Sequence, residues 1–239
     1  MTVEAGVLQL SRARFDVGLL SNRPEASLSF WRDEIGLPVE RTLQPVPGVT
    51  QHKLTLRGAV LKVNCVDDPL PVGTLAGTRL LILADPAVTS PVHRRGPDGD
   101  PVWLVPPGTR GIESFGVHQA VSDEAAFHRF YGHVLGLREI ADRTYDFAGA
   151  TISFSWSPDV RPASDRGGAG YSYLTFQVMD AVVAHRTLID REAVEARPPS
   201  STHTTTDSTI SFILDPDGNQ IEISARPDLV SAAESGSST

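Results

Sequence analysis

Asp215-Pro216-Asp217-Gly218-Asn219 reverses the chain and feeds the alternating strand Gln220-Ile221-Glu222-Ile223-Ser224, and the same turn occurs once before. Gly96-Pro97-Asp98-Gly99-Asp100 leads into Pro101-Val102-Trp103-Leu104, with Pro97 and Pro216, Asp98 and Asp217, and Gly99 and Gly218 each 119 residues apart. Proline fixes φ, and glycine or asparagine accepts a positive φ, so both segments must turn. A second pattern, Phe30-Trp31-Arg32-Asp33-Glu34-Ile35-Gly36-Leu37, returns as Phe130-Tyr131-Gly132-His133-Val134-Leu135-Gly136-Leu137 at a constant offset of 100. An amphipathic helix runs into each copy, and Gly36 or Gly136 is the expected C-terminal stop. Recurring turns and helix ends in a fixed order require a fold assembled from repeated units.

On these residues the chain resembles the vicinal oxygen chelate superfamily, which contains glyoxalase I, extradiol dioxygenases and bleomycin-resistance proteins. The resemblance implies an α+β fold of four βαβββ modules pairing into two cup-shaped mixed sheets, at roughly residues 12–66, 75–107, 112–158 and 169–225. Modules 1 and 2 are expected to form an N-terminal pair (12–107). Modules 3 and 4 are expected to form a C-terminal pair (112–225) carrying the site, followed by a flexible tail (226–239). Module 2 is the most degenerate, because its helix must fit into a short proline-containing stretch around Ala84 to Val92. Ser157 to Gly170, rich in proline and glycine, reads as a mobile flap between modules 3 and 4.

Composition narrows the partners. With 40% hydrophobic residues and no apolar run near the ~20 residues of a membrane span, the chain reads as a globular protein that is not inserted in a membrane. A net charge of −8 without a long acidic run argues against a nucleic-acid surface and favours a small-molecule ligand. The single cysteine, Cys65, precludes an intramolecular disulfide framework and fits a reducing compartment. The start Met1-Thr2-Val3-Glu4-Ala5 lacks the basic and apolar regions of a secretory signal, so cytoplasm is expected. Four modules can complete two cups in one chain, which allows a monomer or a homodimer.

In the superfamily, ligands come from an early residue of each module's first strand and from the polar residue of its last strand. The last-strand positions are Lys62, Trp103, Ser153 and Glu222, of which Glu222 is the only carboxylate. The first strands offer Asp16, Thr78, Gly116 and Tyr173. His118 lies two residues beyond Gly116, on the same strand face and displaced by about 6.6 Å. The resemblance thus implies a divalent metal (Fe²⁺, Zn²⁺, Mn²⁺ or Ni²⁺) on Glu222 and His118, with a third ligand among Asp16, Tyr173 and His52. Tyr173 and Glu222 are the candidate catalytic acid and base, and Asp16, His52 and Trp103 the candidate ligand-binding residues. His52 shares its strand face with Leu54 and Leu56, for which a hydrogen-bonded core histidine is the commoner outcome. His93, His128, His133, His185 and His203 carry no such signal. Cys65 reads as an inert structural thiol.

Three functions fit. The leading one is a metal-dependent enzyme that chelates vicinal oxygens of a small substrate, with isomerase, lyase or dioxygenase outcomes. The second is a metal-free binder that sequesters a drug or other small molecule against Trp103 and Tyr173. The third is a metal-free enzyme using Tyr173 and Glu222 as acid and base.

Overall fold

The computed structural model describes residues 3–71, 79–160, 168–202 and 207–236. Thr78, His203 and half of the expected Ser157–Gly170 flap, residues 161–167, lie outside them.

Module 1 comprises β1 (Val3–Ala5), β2 (Leu8–Ser21), α1 (Pro24–Leu28) continuing into a π-helical turn (Ser29–Glu34), β3 (Val39–Val46), β4 (Val49–Leu56) and β5 (Ala59–Val66). Module 2 holds β6 (Arg79–Ala84), β7 (Val92–Arg95) and β8 (Pro101–Val105). Module 3 runs β9 (Phe115–Val121), α2 (Glu124–His128) with its own π-turn (Arg129–Val134), β10 (Arg138–Ala141), β11 (Thr144–Phe147) and β12 (Ala150–Trp156). Module 4 is β13 (Gly170–Val178), α3 (Ala181–Asp190), β14 (Val194–Ser201), β15 (Thr209–Leu214) and β16 (Gln220–Ala225), and α4 (Pro227–Gly236) follows it.

The repeated helix end is a repeated piece of geometry. Ile35 N donates to Phe30 O at 3.0 Å and Leu135 N to Phe130 O at 2.9 Å, five residues back in each case. Gly36 (φ 78°) and Gly136 (φ 67°) then take the left-handed conformation that ends each helix. Trp31 and Tyr131, at the matching position, are both fully buried.

The repeated turn is a bracket between modules. Asp217 accepts hydrogen bonds from the Ser122 amide (3.1 Å) and hydroxyl. Its counterpart Asp98 accepts from the Ser27 hydroxyl at 3.3 Å. Each turn therefore ties its module to the start of the helical segment in the preceding one.

Module pairing differs from the expected division at residue 107. The larger sheet runs β14-β15-β16-β13-β2-β5-β4-β3 with β1 on β2, and the smaller runs β10-β11-β12-β9-β6-β8-β7. Module 1 therefore pairs with module 4 and module 2 with module 3, through the antiparallel contacts β2/β13 and β6/β9. The two longest connections, from Val66 to Arg79 and from Trp156 to Gly170, are the places where the chain changes sheet. Lengthening a loop costs little closure entropy, so these linkers make the crossing inexpensive.

Two further expectations are corrected. Module 2 has no helix among the described residues. Asp85 begins a turn in which its carboxylate accepts from Ala87 N at 2.8 Å, and Pro86 and Pro91 leave no room for a helical run before β7. The expected flexible tail is helical from Pro227 to Gly236, with proline in the first turn and α4 lying along β2.

The core lies between the sheets. Phe15 of β2 meets Phe115 of β9 at 5.2 Å and Phe147 of β11 at 5.6 Å between ring centroids, and Phe147 meets Phe176 of β13 at 4.4 Å. Strand side chains alternate, so Asp16 and His118, neighbours of Phe15 and Val117, point away from this core in opposite directions. The two cups open on opposite sides of the molecule.

Candidate functional site

The cup of the larger sheet is lined by the polar positions of five strands. Asp16 and Gly18 come from β2, Lys62 and Asn64 from β5, Lys53 and Gln51 from β4. Tyr173, Thr175 and Gln177 come from β13, and Glu222 and Ser224 from β16. Registers place Thr175 beside both Asp16 and Glu222, Gly18 beside Lys62, and Lys53 opposite Lys62. A cavity of about 190 Å³ opens here, lined by Lys53, Lys62, Gln177, Glu222, Ser224 and Arg226 among others.

Lys62 stands at the centre. Its Nζ donates to Thr175 Oγ1 at 2.8 Å and to Glu222 Oε1 at 3.1 Å, and lies 5.5 Å from the centroid of the Tyr173 ring. Burial acts to lower its pKa, but Glu222, Tyr173 and Asp16 together hold it above the ordinary lysine value. The side chain is therefore an ammonium at neutral pH.

Asp16 is fully engaged. It accepts from the Val60 amide and from Gln177 Nε2, each at 2.9 Å, and pairs with Arg12. It ties β2, β5 and β13 together. Tyr173 lays its ring on Gly18, where an added Cβ would stand 2.4 Å from the ring carbons, and its phenol accepts from Asn64 Nδ2 at 3.2 Å. Burial raises its pKa above that of an ordinary tyrosine, keeping the hydroxyl protonated.

These residues do not fit a divalent metal. Of the positions the resemblance implies, Asp16 has both carboxylate oxygens committed, Lys62 contributes a positive charge, and Tyr173 is a neutral phenol. One carboxylate remains, against the three or so N, O or S ligands a catalytic zinc or iron centre takes.

The expected partnership of His118 with Glu222 is also overturned, because they lie on different sheets and face opposite ways. His118 holds Ser153 Oγ at 2.9 Å on Nδ1 and Ser155 Oγ at 3.0 Å on Nε2, so both ring nitrogens are taken. Burial first, and Arg110 second, keep its pKa below that of an ordinary histidine. Its cup is lined by Ile82, Arg110 and Thr151, and Trp103 of the same sheet stacks on His93 with 4.4 Å between centroids.

His52 leaves the cup altogether. Its face partner Leu54 packs in the core, and its Nδ1 lies 2.8 Å from Thr42 Oγ1, beside a separate cavity shared with Cys65. Asp16, His52 and Trp103 thus occupy three different places. Among the described residues, the one trio of metal-type side chains with converging ligand atoms is His128, Glu139 and Asp142, which contains none of the expected ligands. Burial drives the Cys65 thiol up to about 11, as an inert thiol requires.

Sequence reasoning missed Lys53, although a signal was available. The Arg57-Gly58 turn pairs Leu56 with Ala59, and counting three residues outward along each strand sets Lys53 opposite Lys62, on the cup face. Attention to His52 chose the wrong side of β4.

Residues 112–223 match the Glyoxalase/Bleomycin resistance protein/Dioxygenase superfamily. That segment spans modules 3 and 4, which stand in different sheets. Glyoxalase I from Zea mays superposes with a TM-score of 0.70 at 14% identity, covering 94% of this chain and 96% of that one. A proposed dioxygenase from Bacillus subtilis superposes with a TM-score of 0.69 at 12% identity, covering 92% and 87%. At these identities the likeness establishes the fold. No curated protein matches the chain in sequence.

Proposed function

We propose that the protein binds a small organic ligand in the cup of modules 1 and 4 without a divalent metal, a reading supported by the match of residues 112–223 to the glyoxalase, bleomycin-resistance and dioxygenase superfamily and by the likeness of the fold to glyoxalase I. Lys62 carries this reading. Its ammonium lies between Thr175 Oγ1 and Glu222 Oε1, where the family pattern would put a metal, and supplies one fixed positive charge with protons to donate. A ligand oxygen entering the cavity meets that charge in a water-poor site, where such an interaction is stronger than in bulk solvent. Glu222 keeps Lys62 charged and offers its free oxygen as an acceptor. Tyr173 forms a wall and orients Asn64; its hydroxyl is turned to Asn64, which speaks against the acid and base pairing with Glu222.

The test is metal analysis of protein purified without chelator, followed by calorimetric titration with Zn²⁺ and Ni²⁺. The expected result is no stoichiometric metal and no saturable binding that depends on Glu222. One equivalent of metal lost in Glu222→Ala would overturn the reading.

A further inference from the structure

The chain contains two lysines, Lys53 and Lys62, among 21 basic residues, and every other one is arginine. Both lysines face the same cup and stand opposite each other on β4 and β5. Arginine cannot lose its proton in a protein, whereas a lysine amine can, so the two sites where arginine is not used are sites where amine chemistry is available. Lys62 is committed to Glu222 and Thr175. Lys53 is 6% exposed, lines the cavity, and has no carboxylate partner among the described residues.

The charges around Lys53 oppose its own. Arg41 of β3, Lys62 of β5 and Arg226 after β16 all act against its protonation, and Asp16 of β2 is the acid that favours it. Asp16 is neutralised by Arg12, as Glu222 is by Lys62. With burial as the first cause and these cations next, the Lys53 amine comes down to about 7, leaving a large neutral fraction at physiological pH. A desolvated lysine beside other cations is the setting in which an amine becomes a nucleophile.

We propose that Lys53 captures a small carbonyl compound bearing a carboxylate and holds it in the cup as a Schiff base, an inference that rests on the metal-free reading of the same site. The neutral amine adds its lone pair to the carbonyl carbon, and the oxygen takes a proton to give a carbinolamine. The proton that the ammonium gave up on becoming the amine returns to the carbinolamine hydroxyl, which leaves as water and forms the protonated imine. In sum, one ammonium and one carbonyl give one iminium and one water, with no oxidant or reductant needed. The carboxylate follows from the charge at the cavity, where Arg226 is a lining residue and Arg41 acts with it on Lys53; among the described residues the acid paired with Arg226 is Asp228. The cavity of about 190 Å³ suits a small compound.

The experiment uses the full chain with pyruvate as probe and sodium cyanoborohydride as trap, read by peptide mass spectrometry. Two lysines and the N-terminal amine are the primary amines that can react. Label is expected at Lys53, in excess over Lys62 by about tenfold or more, as their neutral fractions require. Label should disappear in Lys53→Met and in Lys53→Arg, with circular dichroism checking that each variant folds. Acetone, which lacks the carboxylate, should label Lys53 less. Label on Lys62, on the N-terminus alone, or surviving Lys53→Arg would overturn the proposal, and equal labelling by acetone would overturn its carboxylate part. Metal analysis of the same preparation reports separately on the metal-free reading, so either can fail without the other.

Discussion

In the larger sheet the first strands of modules 1 and 4 set Asp16 against Thr175, and the last strands supply Lys62 and Glu222. In the smaller sheet the first strands of modules 2 and 3 set Leu80 against His118, and the last strands supply Trp103 and Ser153. The backbone plan is shared, with first and last strands parallel within a module and first strands antiparallel between modules. The contents diverge. One cup is ionic, with a buried cation held by a carboxylate. The other is a histidine clasped by two hydroxyls beside a stacked tryptophan. Repeated modules therefore fix where side chains converge, while the residue types at four positions decide what can bind there.

The largest expected difference between the cups comes from breaking the central contact of each. Glu222→Ala leaves the Lys62 ammonium buried and unpaired, and should cost about 3–5 kcal/mol by urea denaturation. Ser153→Ala removes one neutral hydrogen bond from His118, which keeps Ser155, and should cost about 1 kcal/mol. Equal losses would erase the distinction between an ionic and a neutral cup. The double variant Lys62→Met/Glu222→Leu should recover most of the loss, since an apolar pair of similar size does not strand a charge.

A smaller effect separates the cups by pH. The Lys53 amine is lowered to about 7 in the fold, so between there and the unfolded lysine value of about 10.4 the unfolded chain binds more protons than the folded one. Stability must then rise with pH across that window. Below it the buried charge is unfavourable, and the contribution is flat. Lys53→Met should remove this rise when melting is followed from pH 7 to 10, whereas no lysine of the smaller sheet exists to produce one.

Much of the fold was legible in the sequence because it rests on local signals. The π-turns ending at Gly36 and Gly136, and the brackets at Asp98 and Asp217, follow from residue types at fixed spacing. Module pairing was not legible, since β2 can accept either β6 or β13 as an antiparallel neighbour and the choice depends on how two long linkers cross. The helix of α4 was hidden by the small polar residues from Ser231 onward, though Leu229, Val230 and Ala233 form its half-buried side. In the site, alternation sets Glu222 on the face opposite Ile221 and Ile223, where it lines the cavity, and Tyr173, a position the resemblance implies, stands beside Lys62. His118 was assigned to the wrong cup because pairing was wrong. Lys62 reads in the sequence as a lost carboxylate, whereas its gain of positive charge is the informative change.

The account turns on two lysines in one cup with opposite protonation behaviour, and a chain with only two lysines allows both to be observed directly. Protein carrying lysine labelled with ¹³C at the ε carbon should give two resonances in an NMR pH titration. One, lost in Lys53→Arg, should titrate near 7, and the other should hold its charge past the ordinary lysine value. Two resonances that both titrate near the value of a free lysine would contradict it, because Lys62 would then not be the fixed cation of the cup and Lys53 would not be its amine.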